Sequence, residues 1–417
     1  MNYHYDVKYA FDYFKIFIKW IACACIVGSI CGLCGSLLNI LVEKATLVRE
    51  SYPLLLWALP LCGIVIVFLY RLCGITNDSG TNRILSCIRT DEHVPFIVTP
   101  LIFIATVLTH LAGGSSGRGS AALQMGGSLG TNIGELFHLE PKECHVVTMC
   151  GMSAVFASIF GTPLTAAIFV MEVISVGIIH YSALIPCILS SIIGYSISLK
   201  FGITPLAFHA TVVPQLSFSI MIKVIILAAM CGTVSIIFCQ ILHITAKLYE
   251  QKLQNPYIRI VFGAALVIAL TFIVDCRDYN GAGYNIIANA LDGQAAPEAF
   301  LLKMIFTALT IGAGFKGGEI FPTFFVGATF GCFMGSLLGL PAGFAAAIGL
   351  TSLFCGMVNC PLASIILSIE LFGKSDLLLF ALACGVSYML SGYYSLYSGQ
   401  KIVYSKLNTE FIDSATK

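Results

Sequence analysis

The chain of 417 residues is 58% hydrophobic and only 10% charged, with a formal net charge of +1 and a mean hydropathy of +0.92. Soluble domains carry about 25% charged residues, so a chain this apolar could not cover a water-facing surface. It reads as a polytopic membrane protein whose surroundings are a lipid bilayer, and without a basic stripe to meet phosphates it has no expected nucleic-acid partner.

Residues 1–15 read as a cytoplasmic amphipathic lead-in. Lys8, Lys15 and Lys19 flank the first apolar run, Ile16–Leu41, and by the positive-inside rule keep the N-terminus in the cytoplasm. No cleavable signal is evident, since that run is too long for a signal core. A second span, Pro53–Leu72, leads to the turn Asn77-Asp78-Ser79-Gly80-Thr81-Asn82, where Ser and Asp suit a helix N-cap. Pro95–Leu111 is the next span. Residues 121–138, Val146–Phe160, Pro163–Val176 and Tyr181–Leu199 complete a first half.

A polar connection near 200–217 opens the second half. Ile220–Ile244 is followed by a polar loop at 247–256, and spans at 259–274 and 300–313 flank a loop at 275–298. Runs at 324–339, 342–358, Pro361–Phe372 and Leu377–Leu390 finish the membrane part. Several runs fall short of the ~20 residues a full span needs, so short, tilted and broken helices are expected. The boundaries are a first repeat at 16–210, a second at 211–405 and a tail at 406–417, within one transmembrane unit. The seventeen cysteines lie mostly in or beside apolar runs. Cys31 and Cys34 lack a second pair or histidines at zinc spacing, so these thiols read as reduced core residues, with no metal and no cofactor expected.

Two interruptions organise the chain. In the first, His110-Leu111-Ala112-Gly113-Gly114-Ser115-Ser116-Gly117-Arg118-Gly119-Ser120 runs straight into another apolar segment. In the second, Gly312-Ala313-Gly314-Phe315-Lys316-Gly317-Gly318-Glu319-Ile320-Phe321-Pro322 does the same. Backbone this irregular is tolerated at membrane depth only where it is buried in protein or lines a cavity. The unpaired N–H groups opening each following half-helix attract an anion. Helix-packing glycines are the plainer explanation of either stretch alone.

A repeat argues against that plainer explanation. Gly126 and Gly130 recur 201 residues later as Gly327 and Gly331, and Pro163 and Glu172 recur 198 residues later as Pro361 and Glu370. Each half thus holds a break, a Gly-rich half-helix, a Pro-started helix and one Glu nine residues after the Pro. Paired interrupted segments in matching halves point to a pseudo-symmetric transporter with its site between them.

These motifs resemble the CLC superfamily of anion channels and proton-coupled antiporters. Gly117-Arg118-Gly119-Ser120-Ala121 stands in the place of its Gly-Arg-Glu-Gly-Pro motif, and Gly318-Glu319-Ile320-Phe321-Pro322 in that of Gly-x-Phe-x-Pro. Leu396-Tyr397-Ser398 resembles the segment that supplies an anion-coordinating tyrosine. Gly314–Glu319, read as Gly-Phe-Lys-Gly-Gly-Glu, and Gly80-Thr81-Asn82, read as Gly-x-Asn, are similar to the bacterial fluoride branch, CLC-F. The resemblance covers essentially the whole chain. It implies an all-α CLC-type fold of two inverted halves, a homodimer with a pore in each protomer, and a bacterial-type cytoplasmic membrane. It also implies transport of fluoride, or else chloride, with protons as a second candidate partner.

Departures from the family pattern bear on mechanism. The gating glutamate should stand at position 119, where this chain has Gly119, and Ser120 and Ala121 also depart. The fluoride branch commonly has Thr before the proline of its second break; here it is Phe321. Glu319 is the sharpest candidate, since an ionisable residue at a broken membrane helix is functional by default; pairing with Lys316 or Arg118 is its structural alternative. Arg118 either lends positive potential to the anion or braces helices. Tyr397 offers an O–H donor to a halide, or packs. Thr81 and Asn82 either donate to the ion or cap a helix. Phe324 and Phe325 either turn electropositive ring edges to fluoride or simply pack. Glu172 and Glu370 read as helix-end or interhelical hydrogen-bond partners, and His110 as a weak candidate for carrying protons.

The candidate anion pathway is therefore Gly80, Thr81, Asn82, Arg118, Gly119, Ser120, Gly318, Glu319, Ile320, Phe321, Phe325 and Tyr397. The expected activity is transport, not catalysis: no metal motif such as His-Glu-x-x-His is present. With the gate missing, passive or weakly coupled conduction is expected, against fluoride/proton exchange using Glu319. A cation-coupled organic-anion carrier is the more distant alternative.

Overall fold

The computed structural model describes residues 3–75, 78–90, 92–208, 214–373, 377–408 and 410–416; Asn77 of the first turn lies outside them. The first half contains α1 (Tyr3–Ser51), α2 (Leu59–Leu72), α3 (Thr81–Thr90) and α4 (Val98–Leu111). It continues with α5 (Gly119–Leu136), α6 (Pro141–Phe160), α7 (Pro163–Val173) and α8 (Leu184–Lys200). The second half begins with α9 (Phe218–Lys252), α10 (Pro256–Val274), α11 (Tyr284–Leu291) and α12 (Ala299–Gly312). It ends with α13 (Ile320–Leu337), α14 (Ala342–Val358), α15 (Pro361–Phe372) and α16 (Leu377–Leu390).

Among the described residues, seven helices are long and apolar enough to cross a membrane, and six further apolar helices have 10–17 residues. Short and broken elements are thus as common as full spans. The breaks expected after His110 and after Gly312 are real: α4 stops at Leu111 and α5 starts at Gly119, and α12 stops at Gly312 and α13 starts at Ile320.

Local chemistry sets the boundaries. Pro141 opens α6 behind a capping box in which the Glu140 and Glu143 side chains each bond the other's backbone N–H. Pro163 and Pro361 open α7 and α15, where a missing N–H costs nothing. The helices before them end in left-handed residues, Gly161 (φ 71°) and Asn359 (φ 58°), at matching places in the two halves.

The repeat also governs packing. A Cβ on Gly126 would lie 2.3 Å from the Gly151 carbonyl, and one on Gly327 would lie 2.6 Å from the Gly349 carbonyl. In both halves the half-helix after the break therefore lies backbone-to-backbone on the next helix, as small residues permit in membranes. The carboxylate of Glu172, near the end of α7, accepts the Leu362 and Ala363 N–H groups that open α15, at 3.1 and 2.9 Å. Glu370, near the end of α15, accepts the Leu164 and Thr165 N–H groups that open α7, at 2.9 and 2.8 Å. Each half caps the other's helix, as a two-fold relation between inverted halves requires. The interhelical role expected for both glutamates holds.

α1 runs unbroken from Tyr3. Two loop expectations need correction. The polar loop at 247–256 is mostly the end of α9, and the loop at 275–298 contains α11. The all-helical membrane fold expected from sequence holds, and a small sheet lies beside it: β1 (Ser175–Val176) pairs in parallel with β2 (Lys401–Tyr404), which pairs antiparallel with β3 (Phe411–Ala415). The tail at 406–417 thus contributes a strand, and this small sheet ties the end of the first half to the end of the chain.

Candidate functional site

The two breaks meet. The Gly117 N–H donates to the Gly318 carbonyl at 2.6 Å, an isolated antiparallel bridge between residues 201 apart. The approach is so close that a Cβ on Gly318 would lie 2.5 Å from the Ser120 nitrogen and 2.8 Å from the Gly119 nitrogen. A Cβ on Gly117 would lie 2.6 Å from Cβ of Phe321. Only glycine admits this contact, so the glycines that mark the breaks in sequence also bring them together. The first break docks on α12 as well, through Ser115 N–H to Thr310 Oγ1 at 3.1 Å and Ser115 Oγ to Thr307 Oγ1 at 3.1 Å.

At the start of α13 the Glu319 carboxylate accepts a hydrogen bond from Ser120 Oγ, at the start of α5. The same hydroxyl lies 3.4 Å from the Tyr397 phenol oxygen. Glu319, Ser120 and Tyr397 thus form one polar cluster drawn from both breaks and the C-terminal segment, with Ser120 and Tyr397 almost fully buried. Among the described residues Glu319 makes no ion pair. Lys316, its expected structural partner, instead donates to Asp78 Oδ2 at 2.7 Å and lies 4.7 Å from the Tyr70 ring centre.

The turn before α3 braces this cluster. Thr81 Oγ1 donates to the Ser120 carbonyl at 3.4 Å and accepts from Gln124 Nε2 at 3.3 Å. Asn82 Oδ1 accepts the Gly399 N–H at 2.8 Å and so holds the loop that carries Tyr397. The Gly80 N–H is bonded to Asp78 Oδ1 at 3.1 Å. On the far side of that loop, Thr416 Oγ1 donates to the Tyr397 carbonyl at 2.9 Å.

Where a residue-119 side chain would begin, the site is filled. A Cβ on Gly119 would lie 2.8 Å from both Cβ and Cδ1 of Ile320. Phe321 stacks on Phe160 with ring centres 5.0 Å apart, and the Arg118 guanidinium lies 5.2 Å from the Phe321 ring centre. Phe321 and Arg118 both line a cavity of about 570 Å³ between α1, the first break and the segment before α11. Phe325 does not join the Glu319 cluster; its ring lies 5.1 Å from the buried Lys303 ammonium and meets Tyr279 edge-on at 6.2 Å. Phe324 packs edge-on against Phe160 and Phe354.

Sequence reasoning missed three parts of this site. Thr323, one turn after Glu319, donates to the Glu319 carbonyl at 2.8 Å, and its spacing of four was readable. Gln124 follows Ser120 at the same spacing of four. The Asp78–Lys316 pair joins residues 238 apart and leaves no local signal.

Two inverted halves, paired helix breaks and a tyrosine-bearing loop at their junction define an anion-transporting membrane protein. Residues 62–392 match the family described as "Voltage gated chloride channel", and the chain belongs to it. Over 403 residues it is 34% identical to a chloride/fluoride channel protein of Pseudomonas syringae pv. tomato, spanning 95% of this chain and 89% of that one. Its fold matches the crystal structure of a CLC-type fluoride/proton antiporter with a TM-score of 0.89 at 29% identity, over 92% of this chain and 98% of that one. A slow cyanobacterial Cl⁻/H⁺ antiporter shares the fold at a TM-score of 0.74 and 19% identity, over 89% and 94% of the two chains. Within the family the chain groups with the fluoride branch.

Proposed function

We propose that the protein exchanges fluoride for protons across a cell membrane, as a homodimer with a pathway in each protomer, and that Glu319 takes over the work of the missing gate at Gly119. In each protomer, repeats at 16–210 and 211–405 act as one transmembrane unit. The observation that carries this reading is the Glu319 carboxylate on Ser120 Oγ, beside the Tyr397 hydroxyl. A halide at the junction of the breaks would need the same hydroxyl donors. Two anions cannot share them in a low-dielectric site. An arriving anion must therefore displace the carboxylate, and protonation is what frees the carboxylate to leave. A small, strongly hydrated ion such as fluoride gains most from compact hydroxyl donors. The names of the chloride/fluoride channel relative and of the fluoride/proton antiporter support the choice of ion.

Passive conduction is the second reading, favoured by Gly119, which places no carboxylate in the first break. Fluoride efflux from proteoliposomes, with proton movement recorded at the same time, separates the two. Exchange gives protons in fixed ratio to fluoride, and Glu319→Gln abolishes the proton signal. Fluoride flux without proton movement in the unmodified protein would sink the exchange reading and establish the passive one. Stoichiometric sodium dependence would instead identify a cation-coupled carrier.

A further inference from the structure

The cavity above Phe321 holds a group of polar atoms that no part of the exchange site uses. His110 closes α4 and is 1% exposed. Its Nδ1 lies 2.9 Å from the Thr106 carbonyl, which can only accept, so Nδ1 carries a hydrogen. In the neutral ring Nε2 is then a lone pair, and it is buried without a partner. Arg118 Nε, Arg49 Nη1 and Asn39 Oδ1 are also buried and unpartnered. All four residues line the same cavity. Leaving a buried donor or acceptor unsatisfied costs about 1–3 kcal/mol, so four around one space indicate that something polar belongs in it.

Two of these atoms are guanidinium donors and two are acceptors. We propose that this cavity is a second anion site, which takes fluoride together with a proton. Hydrogen fluoride gives its proton to His110 Nε2, the H–F bond breaks, and the fluoride keeps the electron pair, held by Arg118 and Arg49 against the new imidazolium. Charge balances, and no other reactant is needed. The charged groups around His110 fit a linked event. Arg49, Glu43 and Glu50 face the cavity from α1, Arg118 from the first break, and Arg277, Asp278 and Tyr284 from the opposite wall; Lys303 lies behind on α12. A proton on Nε2 placed among these cations is favoured by an anion beside it, and by reciprocity the proton favours the anion. The cavity lies toward the C-terminal end of α1, and Phe321 but not Glu319 lines it.

The site does not depend on the role given to Glu319, so its test uses a protein without that carboxylate. Purified Glu319→Gln protein is titrated with sodium fluoride by calorimetry, in two buffers of different ionisation enthalpy and over a range of pH. One proton is expected for each fluoride bound in this cavity, beside a fluoride at the breaks that binds without uptake, and the cavity's apparent Kd should rise about tenfold per pH unit on the alkaline side. Adding His110→Gln should remove both the uptake and the slope. Fluoride binding without proton uptake in Glu319→Gln overturns the proposal, as does uptake that survives His110→Gln. Should the double variant fail to fold, ¹⁵N-histidine spectra of the unmodified protein decide. Fluoride should move one buried Nε2 signal from the unprotonated to the protonated range, and an unchanged spectrum overturns the site.

Discussion

The first break carries a cation, Arg118, beside a residue with no side chain; the second carries a carboxylate, Glu319, beside a bulky one, Ile320. Their backbones are related by the repeat and bridged by Gly117 and Gly318, yet their chemistry is opposite. Ile320, from the second half, occupies the space that a side chain on residue 119 would need, while Glu319 reaches across to Ser120 of the first half. The symmetry of the fold thus supplies a junction and does not dictate which half bears the carboxylate. In this chain the second half bears it.

The sharpest way to break the comparison is at the bridge itself. Gly318→Ala forces a methyl against the Ser120 backbone, where nothing flexible can yield. It should cost on the order of 3 kcal/mol or more, read as a large fall in thermal stability in detergent. The three atoms nearest to a methyl in Gly119→Ala all belong to the Ile320 side chain. This substitution should cost about 1–3 kcal/mol, and much less in an Ile320→Gly background, which removes the Cβ as well as the outer methyls. In that same background Gly119→Glu should add a second pH dependence to fluoride flux; an unchanged profile would mean that residue 119 does not face the pathway.

The reciprocal caps come next. Glu172 is buried and accepts two N–H groups, so Glu172→Gln should lower stability by about 1–2 kcal/mol. Glu370 is less buried and makes the matching pair of bonds, so Glu370→Gln should cost about 0.5–1 kcal/mol in the same melting experiment. Equal losses would count against burial as the source of the difference.

The smallest effect concerns the loop that follows α16. Burial pushes the Lys406 ammonium down to about 8; it donates to Ser391 Oγ at 2.9 Å and also to Asn359. Between that value and the ordinary lysine range the unfolded chain binds the extra proton, so stability should rise as pH climbs through this window. Melting curves of the unmodified protein should show the gain, and those of Lys406→Met should lack it.

How far sequence carried this site depends on spacing. Pro163, Glu172, Pro361 and Glu370 could be matched by counting, and the glycine-rich stretches marked both breaks, because those features recur at fixed offsets. The partners that complete the site could not be found this way. Ile320 against Gly119, Asp78 with Lys316, and Asn82 and Thr416 on the Tyr397 loop are contacts set by how the halves interleave, and residues far apart in sequence leave no periodic trace of them. Phe325 shows the converse: its position beside the second break suggested the pathway, but the turn of α13 directs its ring to Lys303 and Tyr279. The strands were hidden because β1 has two residues and β2 four, too short to alternate legibly.

The crossed glutamate caps have a consequence for how far either half can stand alone. A chain of half this length, with one Pro-started helix and one glutamate nine residues on, would leave its own helix opening bare and present an acceptor to someone else's. Two such chains lying head to tail would each satisfy the other. The single polypeptide holds both of those caps within itself, so neither half can open its Pro-started helix without the other.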